Sequence, residues 1–215
     1  MDVPSVIPVF ALPNTVLFPG VPLPLHIFEV PYREMIRDVS AAHGIIGMSL
    51  LRGDWQKDHY GHPAVFETGC AGRIVNVEAL PDEKFNVLLH GFREFTIRRH
   101  LFEKSYRQAE VAWRAAARGT IETASRGKLS RLLTRFLETA PDMSAHKLLH
   151  DASLSDDLLV NFFSYALPVA PLEKQSLLEA ETLDARAQRL CDTLEFHLEE
   201  RRSGGGIRGG SERCH

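Results

Sequence analysis

The chain has 215 residues, of which 44% are hydrophobic and 25% charged, and its formal net charge is -3. This is the composition of an ordinary globular protein, and its slightly acidic balance argues against nucleic acid or an anionic membrane as a partner. No apolar run reaches the roughly 20 residues of a membrane-spanning helix, and no signal peptide is visible. The cysteines, Cys70, Cys191 and Cys214, lie far apart, which is typical of reduced thiols. We therefore expect a cytoplasmic protein.

The first half of the chain, up to about Trp113, has the two-residue period of β-strands. The segments expected to form strands are 7–12, 22–28, 46–50, 73–80, 84–89 and 106–113. Residues 16–18 are a further short apolar piece, which the turn at Pro19-Gly20 closes. One helix interrupts them, beginning at Pro31 and ending at Gly44. The Pro-Asp-Glu sequence at 81–83 predicts a hairpin turn, and a shift of the apolar register after Gly91 predicts a β-bulge. Bulged antiparallel strands of this kind favour a closed or half-closed barrel.

Prolines interrupt the segment PLPLHI, residues 22–27, although its other residues are typical of a buried strand. Its leucines and its isoleucine alternate with Pro22, Pro24 and His26, so both prolines have the same parity. Proline has no N–H group to donate to a neighbouring strand, whereas the N–H groups of an antiparallel strand alternate in direction. The segment is therefore predicted to be an edge strand whose proline side is unpaired.

From about Gly119 the period becomes helical. Four helices are expected: one with the stripe Leu129 to Leu137, one that Ser155 opens and that ends before Pro168, a short one from Pro171, and one that Thr182 opens. The apolar stripe of the second helix is expected to consist of Leu158, Leu159, Phe162, Phe163 and Ala166. Such helices cannot bury their apolar stripes alone, so we expect residues 118–202 to form a helical bundle. The glycine-rich residues 203–215 are predicted to be a flexible tail.

Three blocks of this sequence resemble the Lon protease N-terminal (substrate-binding) domain family, particularly its stand-alone form. They are IPVFALPNTVLFPGVPLPLHIFEVPYREM, GCAGRIVNVEALPDEKFNVLLHGFREFTI and ALPVAPLEKQSLLEAETLDARAQRLCDTLE, and they occur in the family's order. The resemblance covers roughly residues 6–198. It implies an α+β fold with an N-terminal PUA-like β-barrel, residues 1–117, and a C-terminal helical bundle, residues 118–202. Glu83 departs from the pattern, because the family often has glycine there, and this leaves the turn type open.

The ATPase and peptidase parts of a full Lon protease have no counterpart in the sequence. Gly127 and Lys128 do not belong to a phosphate-binding loop, because Glu122 stands where the first glycine of that loop is required. The sequence also lacks the nucleophile-elbow motif and the neighbouring residues that are typical of a nucleophilic catalytic triad. We therefore expect a non-enzymatic chain without a cofactor.

The candidate peptide-binding residues are His26, Glu29, Tyr32 and Arg33, where the proline-containing strand meets the first helix. An arginine could bind a backbone carbonyl or a carboxylate, and a tyrosine offers flat apolar area to a bound peptide. The alternative is structural: a Glu–Arg pair and helix caps that attach the helix to the strands. The sequence leaves both interpretations open.

Two other clusters carry weaker hypotheses. His59 and His62 have a spacing at which a curled loop could share a zinc ion, but the irregular, polar loop around them favours a solvated surface, and we predict no metal site. Arg126, Lys128, Arg131 and Arg135 could form a basic face for nucleic acid. They lie opposite a leucine stripe, so a solvated helix face is the simpler interpretation.

The sequence therefore predicts a non-catalytic module that binds unfolded or extended polypeptide segments. The alternative function is a small-molecule-binding protein or a metal-dependent enzyme on a PUA-like barrel, since one fold supports many activities. A deep pocket with convergent polar groups would favour that alternative, whereas a shallow apolar groove would favour the binding module. The sequence does not indicate the oligomeric state.

Overall fold

A computed structural model describes residues 3–58, 61–115, 120–138, 148–149, 151 and 154–204. Its strands are β1 (Val6–Leu12), β2 (Pro22–Ile27), β3 (Ile45–Leu50), β4 (Thr68–Ala79), β5 (Phe85–Leu101) and β6 (Gln108–Trp113). Its helices are α1 (Val30–Ala41), α2 (Thr123–Leu137), α3 (Asp156–Ala166), α4 (Pro171–Leu178) and α5 (Leu183–Gly204). The predicted α+β class is confirmed.

The six strands form one sheet in the order β2-β5-β4-β3-β1-β6, and β5 also pairs with β6. The pairing of β1 with β3 is parallel, and the others are antiparallel. The long strand β5 makes this arrangement possible, because its first part pairs with β2 and its last part with β6. Buried side chains from β1, β3, β4, β5 and β6 pack together as an apolar cluster that includes Ile7, Ile45, Ala71, Phe95 and Val111.

The chain divides into two compact units. One consists of residues 1–118 and 161–180, and the other of residues 119–160 and 181–215. The unit of strands therefore includes α4, which lies within residues 118–202, the range predicted to form the helical bundle. The Gln175 side chain of α4 donates a hydrogen bond of 3.0 Å to the Thr68 carbonyl at the start of β4. The predicted lobe boundary at 117–118 lies outside the described residues.

The edge position predicted for β2 is confirmed. Within the described sheet β2 pairs only with β5, from Pro22 opposite His90 to Ile27 opposite Phe85. Its leucine and isoleucine side chains are buried or half-buried, whereas Pro22, Pro24 and His26 are exposed. The alternation of apolar residues with prolines and histidine in the sequence therefore matches the alternation of buried and exposed side chains in β2.

The predicted β-bulge is also confirmed. Ala71 pairs with Arg93 and Gly72 with Gly91, which leaves Phe92 as the extra residue of β5. Residues 16–18 are buried but form no strand. The following turn is hydrogen-bonded to β5 instead. The Gly20 N–H donates to the Gly91 carbonyl at 2.7 Å, and the Gly91 N–H donates to the Val21 carbonyl at 2.9 Å. Residues 16–18 are apolar because they are buried, although they do not pair with a neighbouring strand.

The predicted hairpin joins β4 to β5 through a single 3-10 turn over Pro81–Glu83. Asp82 has φ 61° and Glu83 has φ 60°, so both lie in the left-handed region. Glycine enters this region without the steric cost that a Cβ imposes. The left-handed conformation of Glu83 therefore gives a physical reason for the glycine that the resembling family often has there.

The helices follow the predicted stripes with one correction. Leu129, Leu133 and Leu137 of α2 are buried, and the side-chain oxygen of Thr182 accepts the Ala185 N–H at 3.1 Å to cap α5. On α3, however, Ala166 is exposed, and Asn161 is buried. The stripe is displaced because the Asn161 amide donates to the Pro19 carbonyl at 3.1 Å, so a polar residue lies on the buried side. The helix α5 extends to Gly204, past the predicted start of the tail, and residues 205–215 lie outside the described residues.

Replacing Gly127 by alanine is expected to stabilise the protein. Gly127 lies inside α2, and a Cβ there would be 3.6 Å from the nearest atom, Nη1 of Arg131, which is an ordinary contact. Alanine loses less backbone entropy than glycine when a helix forms, so the free energy of unfolding should rise by about 0.5–1 kcal/mol. Urea denaturation measures this change. A lower midpoint for the alanine variant would contradict the placement of Gly127 in the helix.

Candidate functional site

The candidate site is a small groove beside the edge strand β2. Its volume is about 270 Å³, and its lining comes from β1, β2, the β2–α1 junction and α1: Phe10, Leu12, Pro24, Leu25, His26, Ile27, Phe28, Glu29 and Tyr32. Most of these side chains are apolar. Three of the four predicted residues therefore meet at one groove, which we call the β2 groove.

His26 and Glu29 contribute the polar groups of the β2 groove. His26 is exposed at the end of β2, with Nδ1 3.0 Å from Oδ1 of Asn86 on the neighbouring strand. Glu29 precedes α1, where its backbone carbonyl accepts the Arg33 N–H at 2.9 Å and its side chain makes no cap hydrogen bond. The carboxylate of Glu29 is thus available at the rim of the groove.

Tyr32 forms part of the groove wall because it packs against Phe10. Their ring centroids are 4.2 Å apart and the rings are tilted by 59°. Burial raises the pKa of the Tyr32 hydroxyl above its usual value, and the nearby Glu29 carboxylate raises this pKa further. The ring is therefore a neutral, fixed surface that offers flat apolar area.

The fourth predicted residue, Arg33, lies apart from the groove lining. Its Nη1 donates to the Asp82 carbonyl at 2.9 Å and is 3.2 Å from the Glu83 carboxylate, in the β4–β5 turn. The side chain is 17% exposed. Arg33 thus attaches α1 to the hairpin, as the structural alternative describes.

Sequence reasoning missed the apolar residues that complete the β2 groove. Phe28 lines the groove and is 58% exposed, whereas the nearby Val30 is 63% exposed and is not part of the lining. Phe10 reaches the groove from β1, sixteen residues before His26. The apolar residues that precede α1 were a signal for Phe28, but nothing local in the sequence links Phe10 to it.

Residues of β4 and β5 line two other shallow pockets. One of about 310 Å³ includes Pro24, His26, Asn76 and Asn86, and one of about 390 Å³ lies between α1 and the β4–β5 hairpin. The larger pocket contains a single charged side chain, Arg37, which is 3.2 Å from Glu83. Neither of these two pockets gathers several charged groups.

The remaining predictions concern the histidine pair and the basic residues of α2. His59 lies outside the described residues, and the His62 ring stacks on Phe102 with centroids 3.8 Å apart. Within the ranges that the structure describes, no three His, Cys, Asp or Glu side chains come together as a metal site. Arg126 pairs with Asp156, and Lys128 pairs with Glu195 at 3.1 Å.

None of the helices in the described part of the chain combines the length and the apolar character that crossing a bilayer requires.

Lon proteases are among the relatives of this chain. A Lon protease of Flavobacterium johnsoniae is 28% identical over 204 residues, which cover 93% of this chain and 25% of that protein. Lon protease 2 of Myxococcus xanthus is 25% identical over 202 residues, which cover 90% of this chain and 24% of that protein. The chain thus spans about a quarter of the length of these curated relatives.

Solved structures show the same fold. The Lon N-terminal domain protein from Xanthomonas campestris superposes with a TM-score of 0.65 at 24% identity, covering 86% of this chain and 96% of that one. The N-terminal domain of Mycobacterium avium complex Lon protease gives a TM-score of 0.72 at 19% identity, covering 89% of this chain and 99% of that one. The model of the ATP-dependent protease La (LON) substrate-binding domain matches residues 6–195. The chain therefore belongs to the family of Lon substrate-binding domains.

Proposed function

We propose that this protein is a non-catalytic module that binds extended, apolar polypeptide segments in the β2 groove. The observation that supports the proposal best is the position of β2, an edge strand beside a small apolar groove. An edge strand can accept another strand through its unpaired backbone groups, while adjacent pockets accept alternate side chains. Membership of a substrate-binding family agrees with a polypeptide as the ligand.

The wider architecture that we propose is a PUA-like barrel with a helical bundle. The pairings run from β5 through β4, β3, β1 and β6 and return to β5, which supports closure of the strands. Helices α2 and α5 are linked by the Lys128–Glu195 pair and by Arg201, whose guanidinium lies 4.0 Å from the Phe136 ring centroid. On this view β2 lies outside the closed set of strands and keeps one edge for a ligand.

The free edge of β2 should present many acceptors and few donors. Pro22, Pro24 and His26 share one parity, and only His26 has an N–H group. If the proline side faces away from β5, a bound segment meets the carbonyls of all three residues but the N–H of His26 alone. Such an edge favours a ligand that donates more backbone hydrogen bonds than it accepts.

The size of the β2 groove supports weak binding of single side chains. Its volume of about 270 Å³ falls below the range of about 300–1,000 Å³ that is usual for small-molecule sites. An interface of this size gives affinities on the order of micromolar to millimolar. The groove lacks the convergent charged groups expected of an enzyme, which supports the binding module over the alternative.

Replacing Phe28 by serine should weaken the binding of an apolar peptide by about tenfold. Removing an exposed aromatic ring at the groove withdraws roughly 1.4 kcal/mol of apolar contact from the complex, without opening a cavity in the protein. Fluorescence anisotropy of a labelled apolar peptide measures the dissociation constant. The matched control is Phe196→Ser, because Phe196 is 56% exposed on α5 and does not line the groove. Equal effects of the two substitutions would remove the β2 groove from the proposal.

A further inference from the structure

The β2 groove carries an unbalanced negative charge. Glu29 is exposed at its rim, and no ion pair joins its carboxylate to any described residue. The neighbouring basic side chains of α1 are already engaged, since Arg33 and Arg37 each lie 3.2 Å from the Glu83 carboxylate. A segment that enters the groove therefore meets one free carboxylate beside apolar walls.

Two features of the site concern the charge of this carboxylate. Glu29 immediately precedes α1, where the helix dipole favours a negative group. Its charge already acts on the groove wall, because it contributes to the raised pKa of Tyr32. The opposing charge near Tyr32 belongs to Arg107, which does not line the groove and donates to the Pro63 carbonyl at 2.5 Å.

We propose that the β2 groove selects extended apolar segments that carry a lysine or arginine next to the apolar side chain it binds. This inference rests on the proposed function and specifies the ligand that the groove prefers. The cation would pair with the Glu29 carboxylate at the rim, while the apolar side chain occupies the groove against Phe10 and Tyr32. An acidic residue at the same place would be repelled.

The preference should be modest and sensitive to salt. An ion pair at an exposed rim changes affinity by about twofold to fivefold, and ionic strength near 1 M largely screens it. Apolar contact in the groove should be much less affected, because it does not depend on charge. Basic and neutral peptides should therefore converge in affinity at high salt.

The experiment uses three labelled peptides that share one apolar extended core and differ only in a flanking lysine, glutamine or glutamate. Their dissociation constants are measured with the full chain by anisotropy at low and high salt. We expect the lysine peptide to bind about threefold more tightly than the glutamine peptide, and the glutamate peptide to bind least tightly. The substitution Glu29→Gln should abolish this order, whereas Glu103→Gln, an exposed carboxylate outside the groove, should preserve it.

The outcomes separate this inference from the proposed function. If all three peptides saturate with equal affinity, or if the order survives in Glu29→Gln, the groove binds peptides but the selection by Glu29 is wrong. Tighter binding of the glutamate peptide would also overturn it. If none of the peptides binds saturably, the proposed function fails and the inference fails with it.

Discussion

Replacing Arg114 by alanine is expected to lower the free energy of unfolding by about 3 kcal/mol. The Arg114 guanidinium is 2.9 Å from the carboxylate of Glu94, which is only 4% exposed. It also donates to three backbone carbonyls at the end of α4, those of Leu178, Glu179 and Ala180, at 3.0 to 3.3 Å. The substitution would leave a buried carboxylate without this charged partner and would remove a cation from a helix C-terminus.

Urea denaturation measures the effect, and two variants make the test specific. Arg99→Ala removes an arginine whose pair with Glu110, at 3.1 Å, is exposed, so it should change stability by at most about 1 kcal/mol. Adding Glu94→Gln to Arg114→Ala should recover part of the loss, because the buried charge disappears. A loss for Arg114→Ala no larger than that for Arg99→Ala would contradict the role of Arg114.

Replacing Gly91 by alanine is expected to cost roughly 3 kcal/mol or more, and to disturb the turn that leads into β2. A Cβ on Gly91 would lie 2.1 Å from the Phe18 carbonyl oxygen, which is backbone and cannot rotate away. Gly91 also exchanges hydrogen bonds with Gly20 and Val21, so a shift of the strand would break them. Overpacking of this kind forces the backbone to move.

The comparison with Gly127→Ala tests whether close approach is the cause. Both changes add one methyl group in place of a glycine hydrogen, but the Cβ at 127 would meet only ordinary contacts. Opposite signs of the two changes in urea midpoint are expected. A Gly91→Ala variant as stable as the parent would show that residues 18–21 do not lie against β5 as described.

The edge strand and the hairpin could be predicted because their signals are local. The prolines at 22 and 24 exclude a central strand from the sequence alone, and the sheet order agrees. Part of the groove could be predicted, because its residues His26, Glu29 and Tyr32 are close together in the sequence. Phe10 comes from another strand, and its contact with Tyr32 depends on how the sheet is assembled.

Buried polar groups were missed for a related reason. Arg186 is fully buried although its helix position reads as part of a polar face, and Asp156 is 5% exposed although it reads as a first-turn acid. The side chain of Asp156 accepts the N–H of Ile121 at 3.0 Å, thirty-five residues away. Burial of a charge depends on such distant partners, which helical periodicity does not reveal.

The most direct measurement of the central claim is an amide-resolved NMR titration of the full chain with an apolar, extended peptide. Saturable shift changes that cluster at β2, at the residues leading into α1 and at Phe10 are the predicted result. No saturable change up to millimolar peptide, or changes that cluster away from β2, would contradict a groove that binds polypeptide segments.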